Sequence, residues 1–133
     1  MNTHRVVFDT NVLVSALMSP TGNPANVYRM FLAGTLTPVY SKEILEEYQD
    51  VLYRPQLRIS TKDADMILDA ILLCGECMQP LASTFLMTDE TDRIFYDVAK
   101  AADAYLITGN SRHYPEESFI LTPTEFLKLW TKP

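Results

Sequence analysis

Residues 5–18 read RVVFDTNVLVSALM, and this stretch decides the fold. Residues 6–8 form an uninterrupted apolar run, which is typical of a strand buried on both faces. Apolar side chains then recur at helical spacing over residues 12–17. The pattern therefore predicts a strand that leads into a helix, with the polar residues 9–11 in the turn between them.

Asp9 comes directly after this predicted strand. In an open parallel sheet, ligands bind beyond the carboxyl ends of the strands, so the Asp9 carboxylate is a candidate functional group. The alternative role is structural, because Asp9 or Asn11 could accept hydrogen bonds from the first backbone N–H groups of the helix and so cap it. On this stretch alone both roles stay open.

The rest of the chain alternates predicted strands with predicted helices. Further strands are predicted at residues 36–40, 105–108 and 119–121, with a short extended segment at 78–81. Helices are predicted at residues 23–32, 41–53, 60–73, 92–102 and 122–130, and Ser41 caps the one that it opens. Strands that alternate with helices indicate an α/β fold in which helices cover both faces of a parallel sheet.

The composition fits one compact domain over residues 1–133, since 47% of the residues are hydrophobic and 21% are charged. The chain opens without a secretory leader, and its most apolar segment, residues 67–74, is short and contains Asp69. We therefore expect a soluble, cytoplasmic protein that does not enter a membrane. Seventeen acidic and eleven basic residues give a net charge of −6. That sign excludes binding of nucleic acid by phosphate neutralisation alone, but it permits action on nucleic acid through metal ions.

Cys74 and Cys77 form a CxxC pair, which in other settings binds zinc or exchanges disulfides. A redox pair would follow a strand and open a helix, where the thiol pKa is lowered, but here the pair follows an apolar helical run. Zinc would need two more ligands, and the chain has only His4 and His113 as histidines. Two structural thiols at a helix end are the favoured interpretation.

Helical phase places each glutamate of residues 41–53 relative to the apolar stripe of that helix. Glu46 lies nearly opposite the stripe, and Glu43 is little closer to it. Glu47 lies at its edge and is the one of the three that can point inward. The alternative for Glu47 is a solvated boundary residue.

The helix at residues 92–102 carries Asp92 in its first turn, at the edge of the apolar face, while Asp97 and Lys100 are predicted to face solvent. Asp89 would either cap this helix or add a carboxylate, and capping is favoured. The strand before residue 109 ends in Thr108, Gly109 and Asn110, which could form a plain turn or deliver polar groups to a site. We predict that residues 6–8 and 105–107 are neighbouring parallel strands, which would place Asp9 and Asn110 at equivalent strand ends.

Carboxylates of Asp9, Glu47 and Asp92 that met in one crevice would repel one another, each pair at about 4 Å costing several kcal/mol at an effective dielectric near 20. At least one should therefore have a raised pKa. No lysine or arginine lies in the Asp9 turn, and oxygen ligands alone suit Mg²⁺ or Mn²⁺. Such ions act on phosphates by neutralising charge and activating water. The residues thus point to metal-dependent phosphoryl chemistry.

The sequence resembles PIN-domain ribonucleases, in particular the bacterial PIN-family toxins of toxin–antitoxin pairs. The resemblance rests on VVFDTNVLVSAL, SKEILEEYQDVLYRP, TDETDRIFYDVAKAADAYLITGN followed by HYP, and ILTPTEFL, which together cover almost the whole chain. It implies that Asp9, Glu47 and Asp92 are metal ligands and that Asn110 takes the fourth acidic position, where TGN replaces the more usual TGD. It further implies supporting roles for Asn11 and Thr108.

For the whole protein, the resemblance implies a Rossmann-like three-layer α/β/α domain, Mg²⁺- or Mn²⁺-dependent cleavage of single-stranded RNA, a homodimer and an antitoxin partner. Two other functions stay open. A haloacid-dehalogenase-like phosphatase also begins with an aspartate after its first strand, but it needs a second aspartate where this chain has Asn11. A non-catalytic interaction module could keep the fold without the metal, and Asn110 favours that alternative.

Overall fold

The computed structural model describes residues 5–84, 86, 87 and 89–131. Five strands form one parallel sheet: β1 (Arg5–Phe8), β2 (Thr37–Tyr40), β3 (Glu76–Cys77), β4 (Tyr105–Ile107) and β5 (Ile120–Leu121). The strand order is β3-β2-β1-β4-β5, so β1 is the central strand. The predicted α/β class with a parallel sheet between helical layers is confirmed.

The described residues form six α-helices: α1 (Thr10–Met18), α2 (Asn23–Leu32), α3 (Lys42–Leu52), α4 (Thr61–Cys74), α5 (Arg93–Ala102) and α6 (Pro123–Thr131). Short 3-10 turns lie at Pro55–Leu57, Glu90–Asp92 and Ser111–His113. The hydroxyl of Ser41 accepts a hydrogen bond from the Ile44 amide, and Ser60 accepts one from the Asp63 amide. Both serines therefore cap their helices as predicted.

The central pair of strands is the one predicted from the sequence. β1 and β4 run parallel, with Val6 opposite Tyr105 and Phe8 opposite Ile107. Val6, Val7 and Leu106 are fully buried. Helix α5 packs on β1, β2 and β4, and α2 packs against both α1 and α6. The ends of β1 and β4 consequently deliver Asp9 and Thr108 to the same edge of the sheet.

One strand lies earlier in the chain than predicted. The extended segment expected at residues 78–81 is instead β3, which pairs Glu76 with Val39 and Cys77 with Tyr40. Gly75 makes this early start possible, because a Cβ at that position would lie 2.5 Å from the carbonyl oxygen of Ile71 and 2.7 Å from that of Pro38. A close approach between a helix end and a strand needs glycine for this reason.

Cys74 ends α4 and Cys77 lies in β3, and both thiols are free and exposed. Only Cys74 therefore lies at the helix end that was predicted for both thiols, since Cys77 belongs to a strand, and their structural role stays a prediction. No helix in the described part of the chain has the length and apolar character needed to span a membrane.

Candidate metal and catalytic site

Asp9 is buried at the carboxyl end of β1, with 6% of its surface exposed. Its Oδ2 atom accepts hydrogen bonds from the Thr108 hydroxyl at 2.8 Å and from the Tyr114 hydroxyl at 2.9 Å. Asp9 precedes α1, yet its side chain makes no capping hydrogen bond to that helix. The Asp9 carboxylate is therefore held by side chains from other parts of the chain and does not cap α1 through a side-chain hydrogen bond.

Burial raises the pKa of the Asp9 carboxyl group above its ordinary value. The hydrogen bonds from Thr108 and Tyr114 lower it again, as do the nearby backbone amides of Thr10 and Asn11, which do not form a capping hydrogen bond by geometry, but together they do not cancel the effect of burial. Burial and the Asp9 charge also raise the pKa of the Tyr114 hydroxyl, so Tyr114 keeps its proton and remains a donor to Asp9. Asp9 is thus a fixed carboxylate that is costly to ionise.

Asp92 faces Asp9 from the start of α5. Its Oδ2 atom is buried without a hydrogen-bond partner, and the His113 Nδ1 atom lies 3.8 Å from it, beyond hydrogen-bond distance. Desolvation raises the pKa of Asp92 to about 6, the negative charges of Asp9, Asp89 and Glu47 add to the increase, and His113 lowers it. The predicted raised pKa in the acidic crevice is confirmed.

Glu47 is the glutamate of α3 whose charge interacts with Asp9 and Asp92. It is half-buried, whereas Glu46 and Glu43 are exposed. Desolvation raises the pKa of Glu47, with smaller contributions from Asp50 and Asp9. Helical phase therefore selected the correct side of the helix, because Glu47 interacts electrostatically with Asp9 and Asp92.

The turn after β4 joins the Asp9 turn through Asn11. The Gly109 amide donates a hydrogen bond to Asn11 Oδ1 at 2.9 Å, and the Asn110 amide donates one to the Thr108 hydroxyl at 3.0 Å. Asn110 itself is exposed. The Thr108 hydroxyl therefore accepts a hydrogen bond from the Asn110 amide and donates one to Asp9. The Asn11 side chain holds the turn at Gly109 in place.

Asp89 has the capping role favoured by the sequence. Its Oδ1 atom accepts hydrogen bonds from the amide and the hydroxyl of Thr91, at 3.0 and 2.7 Å. These bonds lower the pKa of Asp89. Asp89 thus begins the 3-10 turn before α5 and acts on Asp92 through its charge.

Within the described residues, no three His, Cys, Asp or Glu side chains are close enough together to bind one metal ion as they stand. The negative charges of Asp9, Glu47 and Asp92 nevertheless act on one another's pKa values, so the three carboxylates are close enough to interact. The orphaned, buried Asp92 oxygen and the oxygen-only donor set fit a hard divalent cation.

Sequence reasoning missed Tyr114 and His113 as site residues. Both lie in the 113–115 segment HYP, which was noted as part of the family pattern without a role. Tyr114 contacts Asp9 across 105 positions of sequence, so no local periodicity could reveal the contact. Asp97 is the other correction, because it was expected to face solvent but is 8% exposed and accepts a hydrogen bond from the Ser83 amide.

The chain was compared with known proteins. Residues 5–112 match the model of the PIN domain family. The chain is 29% identical over 109 residues to the uncharacterized protein MJ1680 of Methanocaldococcus jannaschii, covering 80% of this chain and 70% of that protein.

Among solved structures, the fold is similar to a chain in the crystal structure of VapBC2 from Rickettsia felis bound to a DNA fragment from their promoter. The TM-score is 0.55 at 18% identity, and the match covers 89% of this chain and 96% of that one. The likeness concerns the fold. Since the family model spans most of the chain and includes Asp9, Glu47 and Asp92, the protein belongs to the PIN domain family.

Proposed function

We propose that the protein is a metal-dependent endoribonuclease that cleaves single-stranded RNA. The observation that carries the proposal is the buried Asp9 carboxylate at the end of the central strand, coupled to Asp92 and Glu47 with all three pKa values raised. PIN domains are generally nucleases. A group of crowded carboxylates that favours a cation is the arrangement such an activity needs.

Asp9, Glu47, Asp92 and the amide oxygen of Asn110 are the proposed ligands of Mg²⁺ or Mn²⁺. When bound, the cation supplies charge neutralisation for a phosphate group and activation of water near pH 7. Asn110 contributes no charge where an aspartate would, so we expect weaker cation binding than with four carboxylates.

The surrounding residues orient these ligands. Tyr114 and Thr108 both bind Asp9 Oδ2, which leaves Oδ1 as the atom available to a cation. Because ligands are held in place by hydrogen bonds from neighbouring groups, we assign Tyr114 and Thr108 as positioning residues. Asn11 holds the Gly109 turn beside them.

The proposal extends to the assembly. The fold likeness to a chain of VapBC2 and the family resemblance support a toxin with an antitoxin partner, acting as a single PIN domain in the cytoplasm. Met66, Leu72 and Leu73 expose large apolar surfaces on α4, away from the acidic crevice. This helix is the proposed homodimer contact, because exposed apolar patches of this kind mark protein interfaces.

The two alternatives are weaker on specific grounds. A dehalogenase-like phosphatase would need an acid at Asn11, whose Oδ1 atom is already occupied as the acceptor of the Gly109 amide. A non-catalytic module is favoured by the exposed Asn110 alone, whereas the raised pKa of Asp92 favours a cation site.

The test is cleavage of single-stranded RNA by the purified protein with Mg²⁺, with Mn²⁺ and with a chelator, alongside turnover of a phosphomonoester. Asp9→Asn and Glu47→Gln should abolish cleavage, and Glu46→Gln is the matched control because Glu46 is exposed on the same helix. Millimolar Mg²⁺ or Mn²⁺ should raise the melting temperature of the wild type but not of Asp9→Asn. Cleavage that survives Asp9→Asn, or that proceeds equally in the chelator, would overturn the nuclease proposal.

A further inference from the structure

A separate cleft of about 230 Å³ opens beside the acidic crevice. The described residues that line it are all uncharged. They come from α1, from the starts of α2 and α6 and from the turn after β4, and include Asn11, Ser15, Asn23, Gly109, Thr122 and Thr124. The cleft therefore lies at the carboxyl edge of the sheet, where the fold also places Asp9.

The cleft shares a wall with the acidic crevice. Asn11 and Gly109 line the cleft and are joined by the 2.9 Å hydrogen bond from the Gly109 amide. The residue before Gly109 is Thr108, which donates to Asp9 Oδ2 on the crevice side. The cleft and the Asp9 crevice consequently adjoin each other through the Thr108–Gly109 turn.

The walls of the cleft are preformed. Asn23 Nδ2 donates to the Thr124 hydroxyl at 2.7 Å and so ties the start of α2 to the start of α6. The Thr122 amide donates to Glu125 Oε1 at 2.9 Å, and the Glu125 amide donates to the Thr122 hydroxyl at 3.1 Å. This reciprocal capping box fixes the α6 side of the cleft. A cleft that is already shaped loses little entropy when it takes a ligand.

Its chemistry suits the neutral part of a nucleotide. A nucleic acid strand alternates charged phosphates with uncharged nucleosides, and the cleft offers no charge to balance a second phosphate. It offers apolar surface from Val12, Pro24 and Pro123, together with the Ser15 hydroxyl and the amide of Asn23. Single-stranded RNA is read in this way, through bases that leave the stack and meet side chains on their faces and edges.

The size agrees with a single nucleoside. The volume of 230 Å³ is several times the roughly 30 Å³ that one water molecule occupies in the liquid. A space of this size can take a base that is unstacked, as bases are in a single-stranded segment.

We propose that this cleft is a nucleoside subsite, which holds one unstacked base and its ribose next to the phosphate positioned at Asp9. The inference rests on the proposed nuclease function and adds where the substrate is read. Ser15, Asn23 and Asn11 are the residues that determine which base is accepted.

The experiment uses RNA oligomers in which each base in turn is replaced by an abasic ribose. For one of these abasic oligomers, the wild-type protein should show a cleavage rate about tenfold lower than for the intact oligomer. The binding affinity, measured with Ca²⁺ in place of Mg²⁺ or Mn²⁺, should fall by the same factor. The sensitive position should be adjacent to the cleaved bond. Ser15→Leu fills the cleft from an exposed helical position and should lose this discrimination. Ser118→Leu, an exposed serine outside the cleft lining, is the matched control and should keep it.

The outcomes separate the subsite from the nuclease function. Cleavage by the wild type with no sensitivity to any abasic position would overturn the subsite and leave the nuclease proposal intact. If no RNA is cleaved, the binding measurement decides, since abasic discrimination that is lost only in Ser15→Leu supports the subsite. Equal binding of all oligomers by the wild type, or equal loss in both leucine variants, would overturn it.

Discussion

Asp92 and Asp97 lie on the same helical segment, and both carboxyl groups are largely withdrawn from solvent. Asp97 is compensated: its Oδ2 atom accepts a hydrogen bond from the Ser83 amide at 3.1 Å, and its charge interacts with Arg93. Arg93 in turn donates to the carbonyl and the hydroxyl of Ser83. Asp92 has a buried oxygen without a hydrogen-bond partner and faces other carboxylates.

The difference shows how burial of a carboxylate can serve two purposes. Asp97 and Arg93 use buried charge to hold the loop at Ser83 against α5, so their contacts stabilise the fold. Asp92 costs stability, because its environment favours the protonated form. A buried acid left uncompensated beside Asp9 is the pattern expected of a group kept for a ligand. The two aspartates therefore provide internal controls for each other.

The largest expected effect is on catalysis. Asp92→Asn removes a proposed cation ligand and should lower the rate of RNA cleavage by more than about a hundredfold, since even residues that only orient ligands contribute about tenfold to a hundredfold. Asp97→Asn keeps an oxygen acceptor for the Ser83 amide and should leave the cleavage rate within about twofold. Single-turnover kinetics on both variants measures the contrast, and similar losses in both would contradict the separation of roles.

A smaller effect is expected on stability, and here the substitution of Asp97 should be the damaging one. Asp97→Ala leaves the Ser83 amide without this acceptor and removes a charge that acts on Arg93, and should lower the free energy of unfolding by about 1–3 kcal/mol. Asp92→Asn removes a crowding charge and should leave the metal-free protein as stable as before or more stable. Urea denaturation at pH 7 in a chelator gives both values. An Asp92→Asn variant that unfolds more easily than Asp97→Ala would show that Asp92 is structural.

The smallest effect is a pH dependence of stability that comes from Asp92. The pKa of Asp92 rises from 3.8 to about 6 on folding, so the folded state binds its proton more tightly. The resulting stabilisation is complete below pH 3.8 and is lost as the pH rises through about 6. After allowance for partial solvent exposure, the loss is on the order of 1 kcal/mol.

This pH dependence is measured by urea titrations of the metal-free protein between pH 4 and pH 7. The stability difference between the wild type and Asp92→Asn should shift in favour of Asp92→Asn as the pH rises through about 6. A difference that stays constant through this interval would contradict the assignment.

Much of the fold was predictable because its signals are local. The apolar run at residues 6–8 and the helical spacing after it predicted β1 and α1, and Ser41 marked the start of α3. Helical phase also separated Glu47 from Glu46. The prediction for β3 was displaced, because a strand of two residues has too few side chains to show an alternating pattern.

The prediction that Asp97 faces solvent was wrong for a different reason. Periodicity reports the polarity of a helix face, and a charged residue on a polar face is expected to meet solvent. Asp97 is buried because the Ser83 amide donates a hydrogen bond to it and Arg93 donates one to the Ser83 carbonyl. Neither contact can be predicted from the spacing of apolar residues in α5.

The sequence by itself determined the order of strands and helices, the placement of Asp9 after a buried strand and the side of α3 that carries Glu47, because each follows from the spacing of apolar residues within one element. Only the tertiary structure decided that Tyr114 binds Asp9, that Asp92 has an unsatisfied oxygen and that an uncharged cleft opens beside Asn11. These features depend on contacts between elements distant in the chain. The energy of such contacts is set by burial and geometry after folding, which no single segment encodes.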